Sequence, residues 1–266
     1  MKKHSPKEQS GNVSIDRRNF IVTSAAGIAA TALVASPLNS FFKKTNNIKA
    51  IAFDAFVIFD PRPVFALADS IFSESGKELS KTWRTKQFEY AWLRTAANHY
   101  KDFWQVTEDA LIYASKENNI ALSDQNKKQL LEEYLKLNVW PDVLPALKAL
   151  KQNGIKLSFL SNMTADMLNS CIHHSSIENY FDRVISTDKA KTYKPSPTAY
   201  GLGIDVLKLK KEEILFAAFA GWDASGAKWF GYPTFWLNRL STPIEELNAI
   251  PDGVGKSMDD LVNFIQ

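Results

Sequence analysis

The sequence predicts an α/β fold, a doubly wound parallel sheet interrupted by an inserted helical cap domain. Three observations carry that prediction. Short apolar runs end in polar tips at Asp54, at Ser161 and before Asp223; helical patterns separate these runs; and a long helical stretch follows the first run before the second begins. Strands that alternate with helices pair in parallel, and their helices cover both faces of the sheet.

The first strand is expected near 49–54, where Ile51-Ala52-Phe53 stops at the carboxylate of Asp54. An Asp in that position also serves as a turn former or helix cap, so the residue alone does not define a site. Pro61-Arg62-Pro63 then leads out of the sheet, and the chain reads as helices to about Leu137. Within that stretch Thr82 to Lys101 is predicted as one helix, which puts Arg84, Phe88 and Trp92 on one face at i, i+4 and i+8. Pro141 to Asn153 is predicted to return as a helix with its proline in the opening turn. Further strands are expected near 156–161, 183–186, 214–219 and 233–236. Ser257 with Asp260 three residues on signals the start of a last helix. The expected division is an export segment at 1–40, an α/β core at 48–62 and 138–266, and a helical cap at 63–137.

With 266 residues and 45% apolar composition the chain can bury a full core. The formal charge of +3 is concentrated at the start, where Lys2, Lys3, Lys7, Arg17 and Arg18 face only Glu8 and Asp16. Taking those from the 32 basic and 29 acidic residues leaves 27 of each sign. A neutral body gives no electrostatic reason to expect a nucleic acid partner. Cys171 is the single cysteine, so no intramolecular disulfide can form. It reads as a small buried hydrophobe, and His173-His174 read as surface residues because neighbours on a helix diverge.

Arg17-Arg18 precede Phe20-Ile21, and no charge follows until Lys43. This stretch, rich in Ala, Thr and Gly, resembles a bacterial twin-arginine export signal. That implies the twin-arginine export machinery as a partner and a periplasmic location. An uncleaved segment would leave the protein tethered to the membrane, although seventeen residues is at the lower limit for spanning.

Nucleophile, small polar tip, lysine and second carboxylate arrive in order as Asp54, Ser161-Asn162, Lys194 and Asp223. With Trp83-Arg84-Thr85-Lys86-Gln87, Tyr193-Lys194-Pro195 and Trp222-Asp223-Ala224-Ser225-Gly226, these strings resemble the haloacid dehalogenase superfamily, and within it the type II, or L-2-haloacid, dehalogenases. The resemblance runs from about Ile48 to the C-terminus. It implies a Rossmann-like core and hydrolytic dehalogenation of small 2-haloacids through an aspartyl ester, with a small carboxylic acid as substrate, no cofactor, no metal and a possible homodimer.

By that resemblance Asp54 would attack C2 and displace halide, and Arg84 would meet the halide or orient the substrate. Ser161 and Asn162, ahead of a helix starting near Thr164, would bind the substrate carboxylate. Lys194 would pair with Asp54, Tyr200 would contribute to substrate binding, and Asp223 would activate water. Phe103 and Trp222 would keep the pocket dry, which strengthens every fixed charge inside it. Superfamily phosphatases usually carry a second Asp where this chain has Phe56, so a metal-dependent phosphatase is the less favoured reading.

The chain departs from the pattern twice. Family members typically read Asp-x-Tyr-Gly-Thr-Leu-Phe-Asp at the nucleophile, whereas this chain reads Asp54-Ala55-Phe56-Val57-Ile58-Phe59-Asp60, one residue shorter and without the Gly-Thr turn. The family's Ser-Ser-Asn-x-Trp-Asp becomes Ala218-Phe219-Ala220-Gly221-Trp222-Asp223. Losing one oriented donor in an active site commonly costs about 3 kcal/mol of transition-state stabilisation. A non-catalytic or substrate-shifted relative that binds a small acid is therefore the alternative.

Overall fold

The computed structural model describes Met1 and residues 47–266. The export signal expected within 1–40 lies outside the described residues, Met1 apart. Among the described residues the sheet has six strands: β1 (Ala50–Phe53), β2 (Lys156–Ser161), β3 (Arg183–Ser186), β4 (Ile214–Ala218), β5 (Thr234–Leu237) and β6 (Gly253–Gly255). Their order is β3-β2-β1-β4-β5-β6, and every neighbouring pair is parallel. The order reverses between β1 and β4, and open α/β sheets bind ligands at that point, outside the carboxyl ends of the strands.

Strand alternation divides the core. Ile51 and Phe53 face one apolar cluster, while Ala50 and Ala52 face the other. The first cluster takes in α6 (Val143–Gln152), α7 (Ala165–His174) and α10 (Met258–Ile265); the second takes in α8 (Pro197–Leu207) and α9 (Gly221–Phe230). Helices thus cover both faces and the sheet is doubly wound. Phe53 and Phe159 are fully buried and paired in register; each side chain of this size contributes roughly 1.5–3 kcal/mol by leaving water.

Six helices stand between β1 and β2 among the described residues: α1 (Ala55–Ile58), α2 (Arg62–Phe72), α3 (Glu74–Ala96), α4 (Phe103–Glu117) and α5 (Asp124–Glu133), followed by α6. The helix expected at 82–101 is therefore both longer at its start and shorter at its end. It reaches back to Glu74 because Gly76 lies against α2 so closely that a Cβ there would meet Asp69 Cα at 2.5 Å. Tertiary contact sets this turn, and its polar sequence shows no helical period. The helix stops at Ala96 because Asn98 turns to a φ of 56°, a left-handed conformation that Asn tolerates.

The helix expected from Pro141 starts at Val143, since Asp142 turns its carboxylate to Arg239 at 2.9 and 3.0 Å. Strand ends differ from expectation by a residue at β1, β4 and β5. The edge strand β6 has no counterpart in the sequence reading, because Gly253-Val254-Gly255 shows no apolar run. Its glycines fit the packing, as a Cβ on Gly253 would meet Phe235 at 2.6 Å and Phe264 at 2.8 Å. Ser257 and Asp260 form the expected capping box on α10. Cys171 is buried in α7, and burial pushes its thiol up to about 11.

Candidate active site

Asp54 follows β1 and is anchored by its own N–H, which donates to Ala217 O of β4 at 2.9 Å. It caps α1, with Oδ2 accepting from Phe56 N at 3.1 Å. Oδ1 accepts from Lys194 Nζ at 2.8 Å. The same ammonium donates to Asp223 Oδ2 at 2.6 Å and lies 4.9 Å from the centre of the Phe216 ring. Lys194 is fully buried and Asp223 almost so, while Asp54 keeps 9% exposure and is the carboxylate a ligand can reach. Asn162 fixes the lysine's backbone: its Oδ1 accepts from Lys194 N at 2.9 Å and from Thr187 Oγ1 at 3.2 Å.

Asp223 lies in the first turn of α9, where free N–H groups favour a carboxylate. Tyr200 donates its hydroxyl to Asp223 Oδ1 at 2.7 Å. Burial, opposed by Lys194 and reinforced by the charge of Asp54, raises Asp223 to about 6. Burial by itself would lower Lys194, but Asp223 and Asp54 outweigh it and hold the lysine above its ordinary value. The Tyr200 phenol is pushed well up by burial and then by Asp223, so it stays a donor.

Beside Asp54 lies a cavity of about 20 Å³, room for about one water. Its walls include Phe56, Phe88, Phe103, Met163, Phe219 and Trp222, with Arg84, Ser161 and Asn162 as polar members. Phe88, Trp92 and Trp222 pack on one another with centroids 5.4–6.0 Å apart. Arg84 pairs with no carboxylate among the described residues, and its guanidinium carbon lies 5.8 Å from the centre of the Phe65 ring. An unpaired guanidinium beside apolar walls suits a weakly hydrated anion. A wider depression of about 560 Å³, lined by Asp102, Thr164 and Asp188, contains none of the buried charged groups.

Of the residues singled out in the sequence, Asp54, Arg84, Phe103, Ser161, Asn162, Trp222 and Asp223 line this cavity. Lys194 stands behind it, between the carboxylates. Tyr200, expected at the substrate, does not line it; its hydroxyl is spent on Asp223. Ser161 Oγ accepts from Met163 N at 3.2 Å, and α7 is capped by Thr164. The two alanines part company. Ala220 lines the cavity, whereas Ala218 is buried in the second core cluster. Met163 and Phe219 are wall residues that sequence reasoning did not assign, since an apolar side chain after a strand carries no chemical signal. Among the described residues no group of three or more Asp, Glu, His or Cys is arranged to hold a metal ion.

A Rossmann-ordered parallel sheet with a carboxylate that lines a cavity at its switch point, backed by a lysine and a second buried carboxylate, defines an α/β protein of hydrolase type. The chain belongs to the haloacid dehalogenase-like hydrolase family, whose model matches residues 48–231. It is 39% identical to haloacetate dehalogenase H-2 of Moraxella sp. (strain B) over 82% of this chain and 98% of that protein. It is 36% identical to an (S)-2-haloacid dehalogenase of Pseudomonas sp. (strain YL) over 82% and 95%. Among solved structures it resembles the L-2-haloacid dehalogenase RSc1362, with a TM-score of 0.81 and 39% identity over 83% of this chain and 99% of that one. It also resembles the Xanthobacter autotrophicus L-2-haloacid dehalogenase with chloropropionic acid covalently bound, with a TM-score of 0.75 and 30% identity over 82% and 98%.

Proposed function

We propose that this chain hydrolyses the carbon–halogen bond of small 2-haloacids through an ester on Asp54. The observation that carries the reading is the Asp54–Lys194–Asp223 chain at 2.8 and 2.6 Å, with both carboxylates lining the cavity and Asp54 the more exposed of the two. A carboxylate oxygen of Asp54 attacks C2, the C2–halogen bond breaks, and halide leaves with the bonding pair as C2 inverts. Water then adds to the ester carbonyl of Asp54 and gives its proton to Asp223. The 2-hydroxyacid leaves and Asp54 is restored, so the balance is haloacid plus water to hydroxyacid plus hydrogen halide.

In this reading Arg84 meets the halide, while Ser161, Asn162 and the N–H groups leading into α7 hold the substrate carboxylate. Phe103 and Trp222 exclude water, and Tyr200 orients Asp223. The substrates in this reading are haloacetates and 2-halopropionates. The similarity to a haloacetate dehalogenase and to an enzyme covalently bound to chloropropionic acid supports this choice. A single turnover in ¹⁸O-water tests it: label belongs in Asp54, with unlabelled oxygen in the product. Label appearing directly in the product contradicts an ester intermediate.

The Arg17-Arg18 pair, which lies ahead of the family match at residue 48, supports export by the twin-arginine machinery to the periplasm. A homodimer completes the reading. Cell fractionation with an Arg17→Lys, Arg18→Lys variant and sedimentation of the purified protein test these two points.

A further inference from the structure

Helix α1, which presents Asp54, has a single turn, and such a helix leaves nearly all its carbonyls without an intrahelical partner. Within the turn Val57 N donates to Asp54 O at 3.1 Å and Phe59 N to Ala55 O at 2.8 Å. The remaining carbonyls go to two distant residues. Trp140 N donates to Ile58 O at 3.1 Å, and the Trp140 indole N–H is shared between Phe56 O at 3.0 Å and Phe59 O at 3.1 Å. Arg239 Nη2 donates to Val57 O at 3.3 Å.

The donors are themselves held. The guanidinium carbons of Arg62 and Arg239 lie 4.5 and 4.8 Å from the centre of the Trp140 ring. Asp142 grips Arg239 with both oxygens, and Asp60 grips Arg62. Trp140 is nearly buried and also stacks on Phe219 at 6.4 Å, a wall of the cavity at Asp54.

We propose that Trp140 is a positioning residue for Asp54, its indole N–H serving with Arg239 to close the turn that aims the carboxylate. The inference rests on the reading of Asp54 as nucleophile. Phe56 links the two ends: its N–H binds Asp54 Oδ2 while its carbonyl is held by Trp140. Loosening that carbonyl releases the amide that orients the carboxylate. Val57 and Ile58 have no side-chain donor that could take its place.

The test replaces Trp140 in the full chain by benzothienylalanine, which keeps the ring and exchanges N–H for sulfur, with Trp140→Phe as a second variant. Amide exchange at 55–59 rises at least tenfold while exchange at Ile51–Phe53 is unchanged. Alkylation of Asp54 by chloroacetate, followed by intact mass in a single turnover, slows at least tenfold, and affinity for propionate stays within twofold. Unchanged exchange at 55–59 overturns the inference whatever the protein does with haloacids, as does faster exchange with an unaltered alkylation rate. A wild-type protein that forms no adduct contradicts the function proposed for Asp54, and the exchange result still decides what Trp140 holds.

Discussion

Lys194 Nζ and Asp223 Oδ2 are 2.6 Å apart, with side-chain exposures of 0% and 1%. The bond to Asp54, whose side chain is 13% exposed, is longer at 2.8 Å. The lysine is thus shared between two carboxylates of the cavity wall, one almost fully buried and one partly exposed.

Removing the ammonium leaves both carboxylates without a counter-charge in a buried site. Breaking one partner out of a buried pair typically costs about 3–5 kcal/mol. Lys194→Met is expected to lose stability of that order in urea unfolding at pH 8 and to form no ester. Part of the stability returns at pH 5, where Asp223 takes up a proton.

Asp223 also sets a pH dependence. Burial, against the pull of Lys194, lifts it from an ordinary 3.8 to about 6, so the native state binds a proton that the unfolded chain has released. This group's contribution is greatest below about pH 4 and declines as pH rises through 6, a difference of about 3 kcal/mol. Asp142, Asp182 and Asp188 are held below their ordinary values and lose stabilisation on further acidification. Titration of stability between pH 4 and 6 isolates Asp223. In catalysis the sign reverses: a protonated Asp223 accepts nothing from water. Ester hydrolysis is expected to fall below pH 6, so that adduct on Asp54 accumulates at pH 5 and clears at pH 8.

Gly226 packs behind this network. A Cβ there would lie 2.5 Å from the Tyr200 hydroxyl and 2.8 Å from Pro195 Cβ, and both must shift. Gly226→Ala is expected to move Tyr200 off Asp223 and slow turnover about 10–100-fold, a loss of one oriented hydrogen bond or slightly less. Affinity for halogen-free acids changes little. Steady-state kinetics beside propionate binding separates the two effects.

The parallel strands and the residues around Asp54 were legible because they sit where apolar runs stop, and a run that ends in a charged residue is visible in one dimension; the order of the strands was not. The contacts that aim these groups were not. Trp140 and Arg239 act through backbone carbonyls of α1, and a carbonyl's partner leaves no mark on local sequence. Tyr200 was recognised as part of the site but given to the substrate, because a string places a residue near the chemistry without saying which way its hydroxyl points. The start of α3 and the strand β6 were hidden for a related reason: Gly76, Gly253 and Gly255 are required by close packing against remote residues.

Ala220 stands in the cavity wall, at the position where the resemblance to the type II dehalogenase string implies an Asn, and Ala218 lies in the second core cluster. Ala220→Asn is therefore expected to speed release of the Asp54 ester by about tenfold or more, up to the ~3 kcal/mol that one oriented donor supplies. Alanine-to-serine exchange at 218 only buries a hydroxyl and lowers stability. Stopped-flow halide release and time-resolved mass measurements distinguish the alkylation step from the hydrolysis step.

Covalent chemistry at Asp54 is tested most directly by intact-protein mass spectrometry with chloroacetate and (S)-2-chloropropionate. The expected result is an adduct with the mass of the dehalogenated acid, mapped to Asp54, one halide released per adduct, and neither in Asp54→Asn. Halide release that persists in Asp54→Asn, or an adduct on another residue, contradicts it.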